Sequence, residues 1–154
     1  MTHPNAALID RFYQAFGRRD AAAMAACYHA EVEFSDPVFP SLRGAEAGRM
    51  WAMLCARGKD LTIEHSGVLA DDTTGVAHWD ARYSFSATGR KVLNRIDASF
   101  RFRDGLIVHH VDRFSFYRWS RQALGPVGLL LGWTPLVRNK VRAQAAKGLA
   151  EFRG

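Results

Sequence analysis

No stretch of this chain is apolar for long enough to span a bilayer. The first residues, Met1-Thr2-His3-Pro4-Asn5, lack the basic segment and apolar run of a secretory leader. Together these absences predict a cytoplasmic protein. Cysteine is scarce. Cys27 and Cys55 are the only two, too few for a disulfide framework or a metal centre, and they read as free thiols in a reducing compartment. Acidic residues are missing from one region. Residues 1–117 carry 14 basic and 14 acidic side chains, whereas residues 118–154 carry Arg118, Arg121, Arg138, Lys140, Arg142, Lys147 and Arg153 against Glu151 alone. The net charge of +6 therefore belongs to the tail, and a basic nucleic-acid-binding surface is not expected on the rest. The glycines at 125, 128 and 132 have neither the strand–loop–helix context nor the lysine of a phosphate loop.

The 154 residues, 48% apolar and 23% charged, are enough for one domain with a substantial core. Ala6, Ile9, Phe12, Tyr13 and Phe16 recur at helical spacing, and Gly17 ends that helix. Asp20 caps a second helix through Cys27 or Tyr28. Gly44 opens a third, with Met50, Trp51, Leu54 and Cys55 on its apolar side and Gly58 at its end. Leu61–Ala70 alternates loosely, Val76–Ser86 and Val92–Phe102 alternate with a period of two, and Leu106–Tyr117 makes the last strand. The turns between them, among them Arg103-Asp104-Gly105, are short, so these strands pair as an antiparallel meander. Helices first and strands after predict an α+β fold with the helices on one face of the sheet. Beyond residue 118, a glycine-punctuated apolar segment precedes a helix from Pro135 to about Phe152, striped by Val137, Val141, Ala145, Leu149 and Phe152. The stripe predicts docking on protein; a membrane-surface anchor is the competing reading.

The segment Phe34-Ser35-Asp36-Pro37-Val38-Phe39-Pro40 is the richest in chemistry. Its prolines hold Asp36 on stiff, extended backbone among apolar side chains. Asp36 reads either as a carboxylate with a raised pKa, suited to general-base work, or as a side chain that caps a turn or sits in solvent. On the strands, parity puts Asn94, Ile96, Phe100 and Phe102 on one face, with His110, Asp112 and Phe114 on the matching face of the last strand. His109 and His110 point opposite ways, so the pair is not expected to chelate a metal. His110 reads either as a satisfied core histidine or, beside Asp112, as a site residue.

The helix Leu8–Phe16, the helix Asp20–Tyr28, the Ser35-Asp36-Pro37-Val38 segment, Gly44 and the hairpin through Phe100-Arg101-Phe102-Arg103-Asp104-Gly105 occur in an order that resembles the ketosteroid-isomerase-like and SnoaL-like proteins of the nuclear transport factor 2 superfamily. The resemblance covers roughly residues 5–117. It implies a SnoaL-like α+β domain over residues 1–117, with a curved antiparallel sheet forming a cone around three N-terminal helices and an apolar pocket. Residues 118–154 would be a basic helical extension. Asp36 falls where ketosteroid isomerases place their base. Their oxyanion-hole tyrosine and aspartate positions fall on Phe12, with Tyr13 beside it, and on Ala98, with Asp97 beside it, so the isomerase donors are missing. SnoaL-like cyclases resemble this chain in placing acid–base residues on late strands.

The resulting expectation is an enzyme using cofactor-free general acid–base catalysis on a hydrophobic cyclic, polyketide-like or terpenoid-like molecule. Asp36, His110 and Asp112 are the catalytic candidates, and Phe12, Tyr13, Phe39, Trp51, Trp79, Tyr83, Asn94 and Phe114 would contact substrate. The alternatives are a non-catalytic pocket for an apolar ligand and an interaction module using the basic tail. The family's habit and the charged outer ladder of Arg82, Arg95, Asp97 and Arg101 imply a homodimer.

Overall fold

A computed structural model describes residues 3–153. Helix α1 (Pro4–Gly17) and helix α2 (Ala21–Ala26) lead into strand β1 (Tyr28–Ser35), the short β2 (Leu42–Arg43) and helix α3 (Ala45–Arg57). Strands β3 (Thr62–Ala70), β4 (Thr74–Ser84), β5 (Lys91–Arg103) and β6 (Leu106–Arg113) follow. Helices α4 (Phe116–Leu124), α5 (Pro126–Leu131) and α6 (Pro135–Glu151) complete the chain.

Local chemistry accounts for the boundaries. Pro4 occupies the first turn of α1, where its missing N–H costs nothing. The Asp20 carboxylate accepts from Ala23 N–H and caps α2. Arg19, in the left-handed region at φ 59°, turns the chain between the two helices. Its guanidinium then donates to the carbonyls of Gly58, Lys59 and Leu61 and pins the end of α3.

The sheet runs β2-β1-β6-β5-β4-β3. The β3–β6 meander is antiparallel as expected. β1, however, inserts beside β6 in parallel, with Phe34 opposite His110 and Ser35 opposite Val111. One parallel pair thus stands within the otherwise antiparallel curved sheet. The last strand is shorter than its alternation suggests: it ends at Arg113, and the Ser115 hydroxyl accepts from Arg118 N–H to start α4.

Helices α1 and α3 bury Ile9, Phe12, Tyr13, Phe16, Met50 and Trp51 against the concave face, where Trp79, Ile96, Ala98 and Phe100 meet them. A second cluster forms where the tail returns: Phe116, Trp119, Ala123 and Val137 close over Val92. Val38, Tyr83 and Phe114 touch both clusters. Helix α6 docks on its own domain. Leu149 joins the main core, Arg49 donates to the carbonyls of Leu149 and Phe152 at 3.1 and 2.6 Å, and the Arg57 guanidinium sits 5.9 Å from the Phe152 ring centroid. Residue 117 lies within α4, and Trp119, Ala123 and Val137 share their cluster with Val92 of β5.

Helix α5 lies on α4 through its glycines. A Cβ at Gly128 would run into the Ser120 carbonyl, and one at Gly132 into the Ser120 hydroxyl. Gly128→Ala is therefore expected to destabilise the protein by roughly 1–3 kcal/mol in urea unfolding, because overpacking against fixed backbone outweighs alanine's better helix propensity. An unchanged or raised midpoint would refute this packing.

Candidate active site

β6 is an interior strand, flanked by β1 and β5, so its inward side chains lie at the floor of the cone. His110 and Asp112 both face inward and are buried, as parity requires, while Arg113 faces out. Asn94, Ile96 and Phe100 share the inward face of β5. His110 lies opposite Phe100, and Asp112 opposite Ala98.

A hydrogen-bonded chain runs through this floor. Trp51 Nε1–H donates to the Tyr28 hydroxyl oxygen at 2.8 Å. An indole can only donate, so the Tyr28 proton is free for His110 Nδ1, also at 2.8 Å. His110 Nε2–H then donates to Asp112 Oδ1 at 2.9 Å. Trp79 Nε1–H approaches the same oxygen at a longer 3.4 Å. Aromatic rings enclose the imidazole. Phe100 is 4.4 Å away between centroids, Phe34 meets it edge-on at 5.0 Å, and Trp51 stacks on it at 6.0 Å. His110 is 0% exposed.

Asp36 lies just past the end of β1, one residue after the Ser35–Val111 pair, which brings it alongside Asp112. Its carboxylate does cap a turn. Oδ1 accepts from Val38 N–H at 2.7 Å and from Phe39 N–H at 2.6 Å. Burial nevertheless pushes its pKa from 3.8 to about 7, opposed by the Phe39 N–H bond and helped by the charge of Asp112. Among the described residues no donor reaches Oδ2. The two readings of Asp36 are therefore compatible: one oxygen fixes the turn and the other is free.

Of the expected contact residues, Phe12, Tyr13, Phe39, Trp51 and Trp79 are built into the core, while Tyr83 and Phe114 are half-buried where the two clusters meet. Phe12 stacks 5.3 Å from Tyr28 and has no polar group to offer. The Tyr13 hydroxyl is buried without a hydrogen-bond partner. Burial, then the nearby Asp112 and Tyr28, raise the Tyr13 pKa well above its ordinary value, which keeps it a donor. The buried Asn94 amide makes no hydrogen bond among the described residues.

The tail covers this region. Trp119 Nε1–H donates to the Tyr83 hydroxyl at 2.7 Å, and Arg142 Nε–H donates to the Pro37 carbonyl at 2.9 Å, beside Asp36. Three surface clefts, of roughly 430 to 820 Å³, lie on the outer sheet face and along α4, and none is lined by Asp36, His110 or Asp112.

Sequence reading missed Tyr28, Trp119 and Arg142. A helix from Asp20 to Tyr28 puts Tyr28 at a helix end, with no strand partner. Trp119 and Arg142 sit in the tail, outside any recognisable motif.

Six strands curved around three helices, with an aspartate at the rim and a histidine–aspartate pair on the floor, define a nuclear-transport-factor-2-like cone. The chain belongs to the SnoaL-like domain family, whose model matches residues 9–110, a family of small-molecule-binding or catalytic domains. Solved structures agree on the fold. An LEH-like epoxide hydrolase of M. tuberculosis is 18% identical with a TM-score of 0.64, covering 88% of this chain and 96% of its own. An NTF2-like protein of unknown function from Burkholderia pseudomallei K96243 is 17% identical with a TM-score of 0.68, covering 79% and 98%. TerC, co-crystallised with polyporic acid, is 19% identical with a TM-score of 0.62, covering 73% and 92%. No curated protein matches.

Proposed function

We propose that this protein is a cofactor-free acid–base catalyst acting on a hydrophobic, cyclic small molecule, with Asp36 as the proton-transfer group. The observation that carries this reading is the Asp36 carboxyl itself: one oxygen clamped by two backbone N–H groups, the other unpartnered, and a pKa near 7. A base is most effective when its pKa is close to the working pH. Asp36 Oδ2 would take a proton from a carbon next to a substrate carbonyl. The electron pair would move onto the carbonyl oxygen, and the same proton would return to a different atom of the conjugated system. Tyr13, a buried donor without a partner, is the group suited to the developing oxyanion, with the Asn94 amide as a second donor. His110 and Asp112 would hold the floor in place, and Phe39, Trp79, Tyr83 and Phe114 would flank the substrate. The structures of TerC with polyporic acid and of the epoxide hydrolase support the choice of a small organic substrate by analogy of fold alone.

The tail's hydrogen bonds over this region, Trp119 on Tyr83 and Arg142 on Pro37, favour a second reading, a binding domain whose ligand enters only when the tail moves. Two measurements separate them. Carbon-13 NMR of labelled aspartate, compared with Asp36→Asn, should show one carboxyl titrating near pH 7. A panel of cyclic ketones in deuterated water should then exchange α-protons in the presence of the protein. Titration of Asp36 near pH 4 would remove the base. A pKa near 7 with no exchange across the panel would favour the binding domain.

A further inference from the structure

Helix α5 is inside out. Its glycines face α4, so its bulky side chains face solvent. Of the eight large apolar residues exposed among the described residues, six fall between positions 127 and 136: Val127, Leu129, Leu130, Leu131, Trp133 and Leu136. Leu130, Trp133 and Leu136 are 69%, 67% and 73% exposed. Leucines directed to water across one short turn are a contiguous apolar tip rather than scattered surface residues. The tip is fixed in place: Tyr117 donates to the Leu129 carbonyl at 2.8 Å, and Trp133 Nε1–H donates to the Leu130 carbonyl at 3.1 Å.

The segment that carries the tip has charge of one sign. Residues 113–150 contain no aspartate or glutamate. On one flank Arg90, Lys91, Arg118 and Arg121 line a cleft of about 600 Å³ along α4, with the Arg90 guanidinium against Gly125 at the start of α5. Arg138 and Lys140 follow Leu136 within the first turns of α6. Among the described residues no helix is long and apolar enough to cross a membrane.

We propose that the α5–α6 tip inserts into the interfacial layer of an anionic lipid bilayer, with these cations on the headgroups. Three features select that occupant. Exposed leucine and tryptophan beside cationic side chains match the boundary between headgroups and acyl chains, where tryptophan is favoured. The cations match anionic headgroups. A second copy docking tip to tip through a two-fold axis would place the same positive patches against each other, with no acidic residue in the segment to offset them. The stripe of α6 stays on its own domain, so attachment needs no refolding.

The four tryptophans give a direct readout, because Trp51, Trp79 and Trp119 are buried and Trp133 is not. Vesicles of phosphatidylcholine containing phosphatidylglycerol should shift the emission of the full chain to the blue, and brominated acyl chains should quench it. Trp133→Phe should lose the shift yet still co-sediment with the vesicles. A Leu130→Ser, Leu136→Ser double variant, altered only at exposed positions and expected to melt like the wild type, should partition roughly tenfold or more weakly. Arg118→Gln with Arg121→Gln should weaken binding several-fold at low salt and little at high salt. The proposal is overturned if anionic vesicles leave Trp133 unshifted, or if the leucine variant binds as well as the wild type. It is equally overturned if Trp133 is shielded by concentration-dependent dimerisation that the leucine variant abolishes.

Discussion

Asp36→Asn is expected to lower turnover by roughly 10²- to 10⁴-fold, the usual range for losing a positioned general base, and at the same time to stabilise the protein above neutral pH. Asparagine keeps a carbonyl oxygen for the N–H groups of Val38 and Phe39, so the turn survives. The sign of the stability change follows from the pKa. Folding raises the Asp36 pKa from 3.8 to about 7, so between those values the native state holds a proton that the unfolded chain releases. Its contribution is complete below pH 4, declines as pH rises towards 7, and leaves a constant deficit above that. The full shift corresponds to about 4 kcal/mol, and partial exposure of the site reduces this to roughly 2 kcal/mol. Urea unfolding at pH 4 and pH 8 checks it: the variant should gain on the wild type only at the higher pH. An equal difference at both pH values would show that Asp36 does not titrate in this window.

His110→Ala is expected to cost about 3–5 kcal/mol, enough to unfold a marginal domain. The substitution removes the one short hydrogen bond to Asp112 Oδ1 and leaves only the 3.4 Å contact from Trp79. It also opens a void among Phe34, Trp51 and Phe100. A buried group stripped of its partner and a cavity both destabilise. Replacing both members, His110→Phe with Asp112→Leu, should cost less than the alanine change: the void is filled and no carboxyl group is left without its partner, while the Tyr28 hydroxyl loses its acceptor in both variants and only the weak Trp79 contact is lost in addition. Thermal unfolding by circular dichroism separates the two. If the double variant is the less stable, the buried pair itself is a net source of stability.

Sequence showed the meander and concealed the edge beside it. The hairpins β3–β6 were legible because alternation persists over many residues and short turns fix the register, and that register placed Asn94, His110 and Asp112 inward. β1 was hidden. Its register shifts between Tyr28 and Glu33, which breaks the period, and the prolines that follow read as the end of structure. With β1 unseen, nothing but the family resemblance could bring Asp36 to the end of β6 or Tyr28 to His110. α4 was misread for the opposite reason. Phe114 and Phe116 continue the alternation of β6, and the hydroxyl of Ser115, which caps the helix, is a weak signal beside them. Val137 and Leu149 were readable as a stripe. The outward leucines of α5 were not, because their direction is set by the close approach of Gly128 and Gly132 to Ser120.

The parallel pairing of β1 with β6 also determines when the site can exist. Asp36 leaves the ribosome early, but β6, the strand that positions it, is among the last parts of the sheet to be synthesised. Until Val111 is available to pair with Ser35, α1–α3 have emerged without the central strand they pack against. The β3–β5 hairpins can meanwhile close on local contacts, which carry a small loop entropy. The Tyr28–His110–Asp112 chain thus joins distant parts of the polypeptide in one late closure, and a nascent chain that stops short of β6 can hold much of the meander but none of that chain.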